Sequence, residues 1–330
     1  MATMRAVVVE TPGDPDEMTI GSIERPEPGP HEVRVRVQAT ALNRADTYQR
    51  RGHYPPPEGA PATLGLEAAG VVDAVGDAVV DWAAGDRVCA LLAGGGYAEY
   101  AVVRADHLIP VPDAVDMTQA AALPEVFLTA YQALHWLADL QQGETVLIHA
   151  GASGVGTAAT QLARLQNATI IVTASRAKHP TCHEVGADHA IDYTEDDFAE
   201  RVPAITQQQG VNVVIDFVGA PYFNRNIDVM ATDARLVQLA TMGGSTVKEM
   251  SLRALMAKRI HIYASTLRSR SDAYKAQLIR DFMSDVYPHW SGGTVAPVID
   301  SVMDWADVVE AHRRMEDNAN AGKIVLQVDA

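Results

Sequence analysis

The chain has few cysteines, few lysines and no long apolar run. Its 330 residues contain two cysteines, Cys89 and Cys182, which can form at most one disulfide and supply no framework for a disulfide-rich secreted domain. No apolar run approaches the roughly 20 residues that a membrane-spanning helix needs. The first ten residues show no basic start followed by an apolar core, so no signal peptide is visible. We therefore expect a cytoplasmic protein that does not engage a membrane.

Positive charge is also scarce. Lysine and arginine number 26 against 42 aspartates and glutamates, which gives a formal net charge of −16. Such a charge repels nucleic acid and anionic lipid, so neither is an expected partner. The acidity fits either adaptation to salt or ordinary solubility. With 48% hydrophobic residues the chain is that of a folded protein, and its length allows two cores.

The chain has parts with two different patterns of predicted secondary structure. Its first part consists of short β-branched runs between proline and glycine turns, and Val33, Val35 and Val37 alternate with polar residues as in a strand with one wet face. Strands and helices then alternate, which indicates a parallel sheet covered on both faces, the doubly wound α/β class. The predicted division is a β-rich domain from residues 1–123 and 267–330, with an α/β domain of residues 124–266 inserted.

The most informative motif joins a predicted strand, Thr145–His149, to a predicted helix. In the turn between them, Gly151 and Gly156 hold the outer positions of a dinucleotide fingerprint, while Ser153 stands where the middle glycine would be. Small residues let a pyrophosphate approach the backbone, and the helix start offers N–H groups and a positive dipole end. The turn therefore predicts dinucleotide binding. Val155 occupies the closing glycine position of a nucleophile elbow, which disfavours serine hydrolysis.

The second predicted strand, Thr169–Ala174, favours one dinucleotide over another. An NAD site commonly places an acidic residue here to bind the ribose hydroxyls. This chain has Ser175, Arg176 and Lys178 instead. Arginine and lysine can neutralise a 2′-phosphate, so the segment favours NADPH, with a solvated basic loop as the alternative.

Residues 65–70 resemble a motif of the medium-chain dehydrogenase/reductase family. The zinc enzymes of that family carry a ligating histidine where this chain has Leu66, and a ligating cysteine where it has Asn43. A leucine side chain has no donor atom for zinc, so we expect an enzyme that uses none. A second group of possible ligands is interpreted as an exposed helix start rather than a metal site: His179, Cys182 and His183.

Four further segments are similar to those of the zeta-crystallin-like quinone oxidoreductases, in particular the branch that contains the tumour-suppressor-inducible quinone oxidoreductase. These segments are residues 41–57, 123–130, 149–156 and 267–270. The resemblance implies a GroES-like catalytic domain, a Rossmann domain, an NADPH cofactor and a homodimer. It further implies zinc-independent hydride transfer from NADPH to a quinone, with an ortho-quinone favoured.

The resemblance also implies a role for individual residues. The pyrophosphate would be cradled by Ser153, Gly154, Val155 and Gly156. The 2′-phosphate end would be held by Lys178 and Tyr193, with Ser175 and Arg176 beside them. The nicotinamide and substrate would be surrounded by Asn43, Tyr54 and Thr129, of which Tyr54 and Asn43 are the catalytic candidates. Weaker candidates for the cofactor cleft are Val218, Met242, Leu267 and Lys323.

Three of these residues could instead have an ordinary structural role. Tyr54 precedes three prolines and could pack on a stiff turn, Asn43 could be a turn residue, and Thr129 could cap or pack. Two other functions share the same motifs. One is an NADPH-dependent reductase of enones and alkenals, and the other is a non-catalytic NADPH-binding protein of the lens-crystallin kind. The sequence identifies no general acid.

Overall fold

A computed structural model describes residues 2–328, which form two compact units. Among the described residues, the β-rich unit comprises 2–128 and 267–328, and the α/β unit comprises Thr129–Thr266. The sequence pattern predicts the first division after residue 123 instead. Residues 124–128 belong to the β-rich unit, and the backbone N–H of Glu125 donates a hydrogen bond to the Glu67 carboxylate of that unit at 2.9 Å.

The first part of the β-rich unit is a series of short strands. They are β1 (Thr3–Val9), β2 (Met18–Glu24), β3 (Glu32–Ala41), β4 (Glu67–Val75), β5 (Arg87–Leu91), β6 (Tyr100–Arg104) and β7 (Leu108–Pro110). The helices are α1 (Arg44–Arg50), α2 (Met117–Ala121) and α3 (Pro124–Tyr131), with 3-10 turns at Pro15–Glu17 and Ala105–His107. A π-helical segment, Gln132–Leu137, follows α3.

The α/β unit alternates strand and helix, as predicted. Its strands are β8 (Thr145–Ile148), β9 (Thr169–Ala174), β10 (His189–Asp192), β11 (Val211–Asp216), β12 (Met230–Gln238) and β13 (His261–Ala264). Its helices are α4 (Gly154–Leu165), α5 (His179–Glu184), α6 (Phe198–Ile205), α7 (Ala220–Val229) and α8 (Leu252–Lys258), with a 3-10 turn at Arg176–Lys178.

The last part of the chain belongs to the β-rich unit. It contains α9 (Asp272–Asp285), α10 (Tyr287–Ser291), β14 (Ile299–Asp304), a 3-10 turn at Trp305–Asp307, α11 (Val308–Glu316) and β15 (Lys323–Gln327). Strand β15 pairs antiparallel with β3, with Val325 opposite Ala41. The main sheet therefore has the order β14-β15-β3-β4-β5-β7, with β6 also paired to β3, while β1 and β2 form a separate antiparallel pair.

Strand β3 differs from the pattern predicted for it. Val33, Val35 and Val37 are buried as expected, but Arg34 between them is only 7% exposed. Its guanidinium donates to the carboxylates of Asp73 at 2.6 Å and Glu27 at 2.5 Å. The face that alternation marks as wet is therefore partly covered, because ion pairing lets a charged side chain be buried.

All strands of the α/β sheet are parallel, and their order is β10-β9-β8-β11-β12-β13. Val146, Leu147 and Ile148 of the central strand β8 are fully buried, as in a sheet covered on both faces. The chain moves outward in one direction from β8 through β9 to β10, and in the other from β11 to β13. Ligands of such sheets bind at the carboxyl ends of the strands, where the order reverses, and here that place lies between β8 and β11.

Candidate functional site

The turn after β8 leads directly into helix α4. Ala150 adopts a positive φ of 49°, and Ser153 caps the helix because the Gly156 N–H donates to its hydroxyl at 3.0 Å. A serine is a favoured N-cap residue, since its oxygen satisfies one of the free N–H groups of the first turn. Ser153 therefore performs a structural task at the position where the fingerprint has a glycine.

The two outer glycines of the turn are required by close contacts. A Cβ atom on Gly156 would lie 2.4 Å from the Ala150 carbonyl oxygen, and one on Gly151 would lie 2.5 Å from Cβ of Val172 in β9. Both distances are shorter than any side chain tolerates. The glycines thus hold helix α4 tightly against the turn and the neighbouring strand, which is the packing role of a fingerprint glycine.

The start of α4 has unused hydrogen-bond donors. The N–H groups of Gly154 and Val155 donate to no acceptor within residues 2–328, and Ser153, Gly154 and Val155 are all partly exposed. Helix α4 is 12 residues long and contributes the positive end of its dipole at the same point. These features fit the pyrophosphate of a dinucleotide, which is anionic and accepts backbone hydrogen bonds.

Acidic residues lie beside the basic segment that follows β9. The guanidinium of Arg176 is 2.6 Å from Glu195 Oε2 and 3.4 Å from Asp192 Oδ2. Strand β10 pairs with β9 so that Asp192 lies opposite Ala174, which brings both carboxylates to this segment. Hydrogen bonds from Thr194, assisted by the charge of Arg176, hold the pKa of Asp192 below its usual value. Sequence reasoning missed these two acids, because neither lies close to the basic segment along the chain.

The helix that follows this segment is less exposed than predicted. Cys182 is fully buried, and burial raises the pKa of its thiol to about 11. The His179 and His183 rings hydrogen-bond to the backbone carbonyls of Ala174 and Ala187 at 3.1 and 2.9 Å. The interpretation of this group as an exposed helix start is therefore wrong for Cys182, which packs in the interior.

The remaining candidates of the α/β unit follow the carboxyl ends of strands. Tyr193 comes directly after β10 and is 50% exposed, and Met242 comes after β12 and is 45% exposed. The N–H of Met242 donates to the Phe217 carbonyl at 3.0 Å, and the N–H of Gly243 donates to the Val218 carbonyl at 2.8 Å. Because parallel strands share one carboxyl edge, these residues lie at the same edge of the sheet as the turn before α4. Thr129 lies on α3 and is partly exposed.

A buried polar cluster, which we call the Glu67 cluster, links Asn43, Glu67 and Lys323 in the β-rich unit. Asn43 Nδ2 donates to Glu67 Oε1 at 2.9 Å, and Asn43 Oδ1 accepts from Lys323 Nζ at 2.7 Å. Lys323 Nζ also lies 2.7 Å from Glu67 Oε1 and donates to the Leu42 carbonyl at 2.6 Å. All three protons of its ammonium group therefore have acceptors. This count favours a structural role for Lys323 over the predicted contact with a cofactor.

Tyr54 lies in the loop after α1 and is partly buried. The guanidinium carbon of Arg268 lies 5.2 Å from the centre of its ring, within cation–π distance. Burial, followed by the nearby charge of Glu125, raises the pKa of the Tyr54 phenol. Tyr54 is therefore a neutral hydrogen-bond donor at physiological pH.

Leu267, the residue before Arg268, is 5% exposed and packs in the interior of the β-rich unit.

Arg268 is held in place by other residues of the β-rich unit. Its Nη2 donates to Gln49 Oε1 and to the Ala93 carbonyl, each at 2.7 Å. Its Nη1 lies 3.4 Å from the Tyr54 carbonyl oxygen. The arginine thus fixes the position of the Tyr54 loop through both its ring and its backbone.

Glu125 is a titratable residue beside the Glu67 cluster that sequence reasoning missed. It lies in the first turn of α3, and the residue is partly exposed. Burial, together with the neighbouring Glu67 carboxylate, raises its pKa to about 8. The only signal in the sequence was its place after Pro124 in one of the family-like segments, and that signal carries no indication of a chemical role.

Family profiles match both parts of the chain. The alcohol dehydrogenase GroES-like domain matches residues 29–113, and the zinc-binding dehydrogenase family matches residues 154–283. Together with the Rossmann order of the α/β sheet, they define a pyridine-nucleotide-dependent oxidoreductase. Despite the name of the second family, no three histidine, cysteine, aspartate or glutamate side chains converge to hold a metal ion within residues 2–328.

Relatives identify the family more closely. The quinone oxidoreductase of Pseudomonas aeruginosa is 35% identical over 95% of this chain and 96% of its own length. The human synaptic vesicle membrane protein VAT-1 homolog is 32% identical over 91% of this chain and 80% of its own. The chain belongs to the medium-chain dehydrogenase/reductase superfamily and, within it, to the quinone oxidoreductase-like proteins, as its sequence motifs predicted.

Solved structures share the whole fold. An NAD-dependent alcohol dehydrogenase is 32% identical with a TM-score of 0.88, covering 99% of this chain and 100% of the other. The CurK enoyl reductase is 27% identical with a TM-score of 0.88, covering 99% of each chain. The predicted fold class, a GroES-like domain with a Rossmann domain, is confirmed.

Along the described part of the chain, no helix has the length and apolarity to cross a membrane.

Proposed function

We propose that this protein is a zinc-independent NADPH-dependent quinone oxidoreductase that transfers hydride directly to a quinone, with ortho-quinones favoured. The observation that carries the proposal is the start of α4. There, the free N–H groups of Gly154 and Val155 meet a helix dipole at the switch point of a Rossmann sheet. The quinone oxidoreductase of Pseudomonas aeruginosa supports the choice of acceptor.

The α/β unit would bind the cofactor at the carboxyl edge of its sheet. Residues 153–156 would hold the pyrophosphate, and Lys178 and Tyr193 would hold the 2′-phosphate, with Ser175 and Arg176 beside them. Arg176 also binds Glu195 and Asp192, which would reduce its own share in the recognition of the phosphate. Thr129 would lie beside the nicotinamide and substrate. Val218 and Met242 are the weaker candidates for contact with the rest of the cofactor, whereas Leu267 is 5% exposed and has little side-chain surface for such a contact.

The β-rich unit would orient the acceptor. NADPH, when bound, supplies the hydride, and the protein supplies position and electrostatics. Tyr54 would donate a hydrogen bond to an acceptor oxygen, since its phenol is neutral. Asn43 would help to polarise that oxygen. It belongs to the Glu67 cluster, where Lys323 and Glu67 fix its amide. A quinone needs no Lewis acid for this step, because aromatisation of the ring stabilises the reduced oxygens.

An acceptor screen tests this function. The purified protein would be given NADPH or NADH with an ortho-quinone, a para-quinone, an enone or an alkenal, and nicotinamide oxidation would be measured. We expect the highest kcat/KM with NADPH and the ortho-quinone, and the same rates after exhaustive chelation. A clear preference for NADH, or activity that chelation abolishes and zinc restores, would contradict the proposal.

The same screen addresses the alternative acceptor class. The CurK enoyl reductase has the same fold over nearly the whole chain, which supports a reductase of carbon–carbon double bonds as the second candidate. Higher kcat/KM with the enone than with either quinone would establish that function instead. NADPH binding without turnover of any acceptor would indicate a non-catalytic, crystallin-like protein.

We further propose a cytoplasmic location for this protein. Cys89 and Cys182 are both free and buried, which fits a reducing compartment. Fractionation of the source cells would test this proposal. Recovery in a membrane fraction would contradict it.

A further inference from the structure

We propose that Glu125 is the proton donor of the reaction and delivers its carboxyl proton to the oxygen of the reduced acceptor. This inference rests on the proposed function. It assigns the general acid to a residue that the sequence analysis did not single out. Two neighbouring carboxyl groups, Glu67 and Glu125, have different surroundings, and this difference supports the assignment.

Glu67 is fully engaged and fully buried. Its Oε1 interacts with Asn43 and Lys323, and its Oε2 accepts the backbone N–H of Glu125. The ion pair with Lys323 compensates its negative charge. Glu67 also meets the N-terminus of α3, where a negative charge is favourable. Its side chain is therefore held by three partners and cannot move to a substrate.

The carboxyl group of Glu125 differs from that of Glu67 in both its hydrogen bonding and its exposure. It makes no hydrogen bond or ion pair with any residue between 2 and 328, and the residue is partly exposed. Glu67 already supplies the negative charge at the start of α3, so a second carboxylate there is disfavoured by repulsion. The charged and titratable groups that act on it are Glu67, Asp46, Lys323, Arg268, Tyr54 and Lys275.

These surroundings keep Glu125 protonated at neutral pH. Burial is the main cause and the Glu67 carboxylate the next, and together they raise its pKa to about 8 while Lys323 opposes them. A general acid works best when its pKa lies near the working pH. Two carboxyl groups whose environments differ in this way commonly divide the tasks of a site, one charged and one acidic.

The proton balance of the step is complete. When bound, NADPH would supply a hydride, and the quinone would accept its two electrons to become a hydroquinone monoanion beside NADP⁺. The O–H bond of Glu125 then breaks, and a new O–H bond forms on the phenolate oxygen, which gives the neutral hydroquinone. Glu125 remains as a carboxylate and regains a proton from water through its exposed side.

Kinetic measurements on Glu125 variants test the proposal. Glu125→Gln keeps the shape but has no acidic proton, so we expect kcat with an ortho-quinone to fall about a hundredfold, at the low end for general acid catalysis because the phenolate is already a stable anion. Glu125→Asp should recover part of this loss. The wild-type rate should fall as pH rises through about 8, and the Glu125→Gln rate should not. Glu310→Gln, on the exposed face of α11, is the matched control and should behave as the wild type.

A second readout does not depend on turnover. Infrared difference spectra of the cofactor-free protein, recorded on either side of pH 8, should show loss of a carboxylic acid C=O band centred near that pH, and this band should be absent from Glu125→Gln. A circular dichroism spectrum and urea midpoint for each variant would establish that it is folded. A folded Glu125→Gln with the wild-type pH profile and rate would overturn the proposal, as would absence of the titrating band.

These outcomes separate the two proposals. If the wild type reduces no quinone with NADPH, the proposed function fails whatever Glu125 does. If the wild type is active and Glu125→Gln is equally active, the function stands and only the role of Glu125 is refuted.

Discussion

Lys178 and Arg176 follow the same strand and carry the same charge, and the family resemblance assigns the 2′-phosphate to Lys178. Arg176 interacts with two carboxylates, and these interactions raise its pKa further. A guanidinium engaged in this way attracts a phosphate less strongly than one without anionic neighbours. We therefore expect Arg176 to contribute little to the recognition of a 2′-phosphate, and we test Lys178, to which the family resemblance assigns that group.

Replacing Lys178 with alanine should weaken NADPH binding specifically. A hydrogen bond to a charged group contributes about 1.5–3 kcal/mol, so the NADPH dissociation constant should rise about 10- to 100-fold. The NADH constant should change little, since NADH has no 2′-phosphate. Titration calorimetry with both dinucleotides measures the difference, with Arg201→Ala as a control that removes an exposed cation elsewhere on the same unit. Equal weakening of both dinucleotides would contradict phosphate recognition by Lys178.

His312 belongs to a second buried group in the β-rich unit. Its Nδ1 lies 3.1 Å from Arg50 Nη1 and its Nε2 lies 3.4 Å from the Tyr97 hydroxyl, which is itself 3.4 Å from Asp46 Oδ2. Burial, assisted by the charge of Arg50, lowers the pKa of His312 to about 3. Burial also raises the pKa of Asp46 to about 6. The two residues therefore affect acid stability in opposite directions.

The His312 contribution to stability should be present above pH 6.5 and lost as pH falls from 6.5 towards 3, because the unfolded chain binds the proton first. Asp46 acts oppositely between pH 3.8 and about 6, where the folded state binds the proton first. Urea unfolding would be measured for the wild type and for His312→Gln, from neutral pH down to about one unit below 6.5. The difference between the two proteins isolates the contribution of the histidine. The unfolding free energy of the variant should decline less steeply, by at most about 1.4 kcal/mol per pH unit for one proton. Parallel pH curves for the two proteins would refute this assignment.

Helix α4 supplies both a stabilising cap and the N–H donors that we propose for the pyrophosphate. The Ser153 hydroxyl caps its first turn, and Gly156 in that turn lies in tight contact with the Ala150 carbonyl. The N–H groups of Gly154 and Val155 are left to a ligand. A serine at the middle fingerprint position is therefore compatible with binding, because its hydroxyl turns to its own helix.

Substitutions of Ser153 should follow the order of N-cap preference. Ser153→Ala should lower the free energy of unfolding by about 1 kcal/mol, while Ser153→Gly should cost only a few tenths. Urea unfolding without cofactor measures both values. Thr157→Ser is the conservative control in the same helix, because a serine there keeps the hydroxyl that now donates to the Gly154 carbonyl. Wild-type stability in Ser153→Ala would show that the cap contributes nothing.

At the level of the whole molecule, the open edge of the α/β sheet is a candidate interface. Strand β13 pairs with β12 and is the last strand on its side of the sheet. Ile262 on this strand is 42% exposed, and Leu252 and Met256 on α8 are 62% and 76% exposed. An open strand edge beside exposed apolar side chains is a surface at which two chains can pair. We propose that a second copy of this chain covers it and forms the homodimer implied by the family resemblance.

A charge on this edge should separate the proposed dimer. Ile262→Lys places an ammonium in the interface and should shift the molar mass, measured by light scattering after gel filtration, from dimer to monomer. Val80→Lys is the matched control, since Val80 is 87% exposed on the β-rich unit. A wild type that is monomeric at all concentrations, or a Val80→Lys protein that dissociates equally, would refute the edge as the dimer surface.

The class of fold and the tight turn before α4 could both be predicted from neighbouring residues alone. Alternating strands and helices specify a parallel sheet, and small residues before α4 specify a turn that a pyrophosphate can approach. Both follow from local periodicity and local sterics. The family followed from the same segments, because the residues of each motif are close in the chain.

Which charges meet could not be predicted in this way, because it depends on long-range pairing. Asp192 reaches Arg176 because β10 pairs with β9, and Lys323 reaches Glu67 because the end of the chain returns beside β3. The acidity of Glu125 depends on burial and on a carboxylate 58 positions away in the sequence. Electrostatic roles depend on distance and exposure in space, and neither is encoded by spacing along the chain.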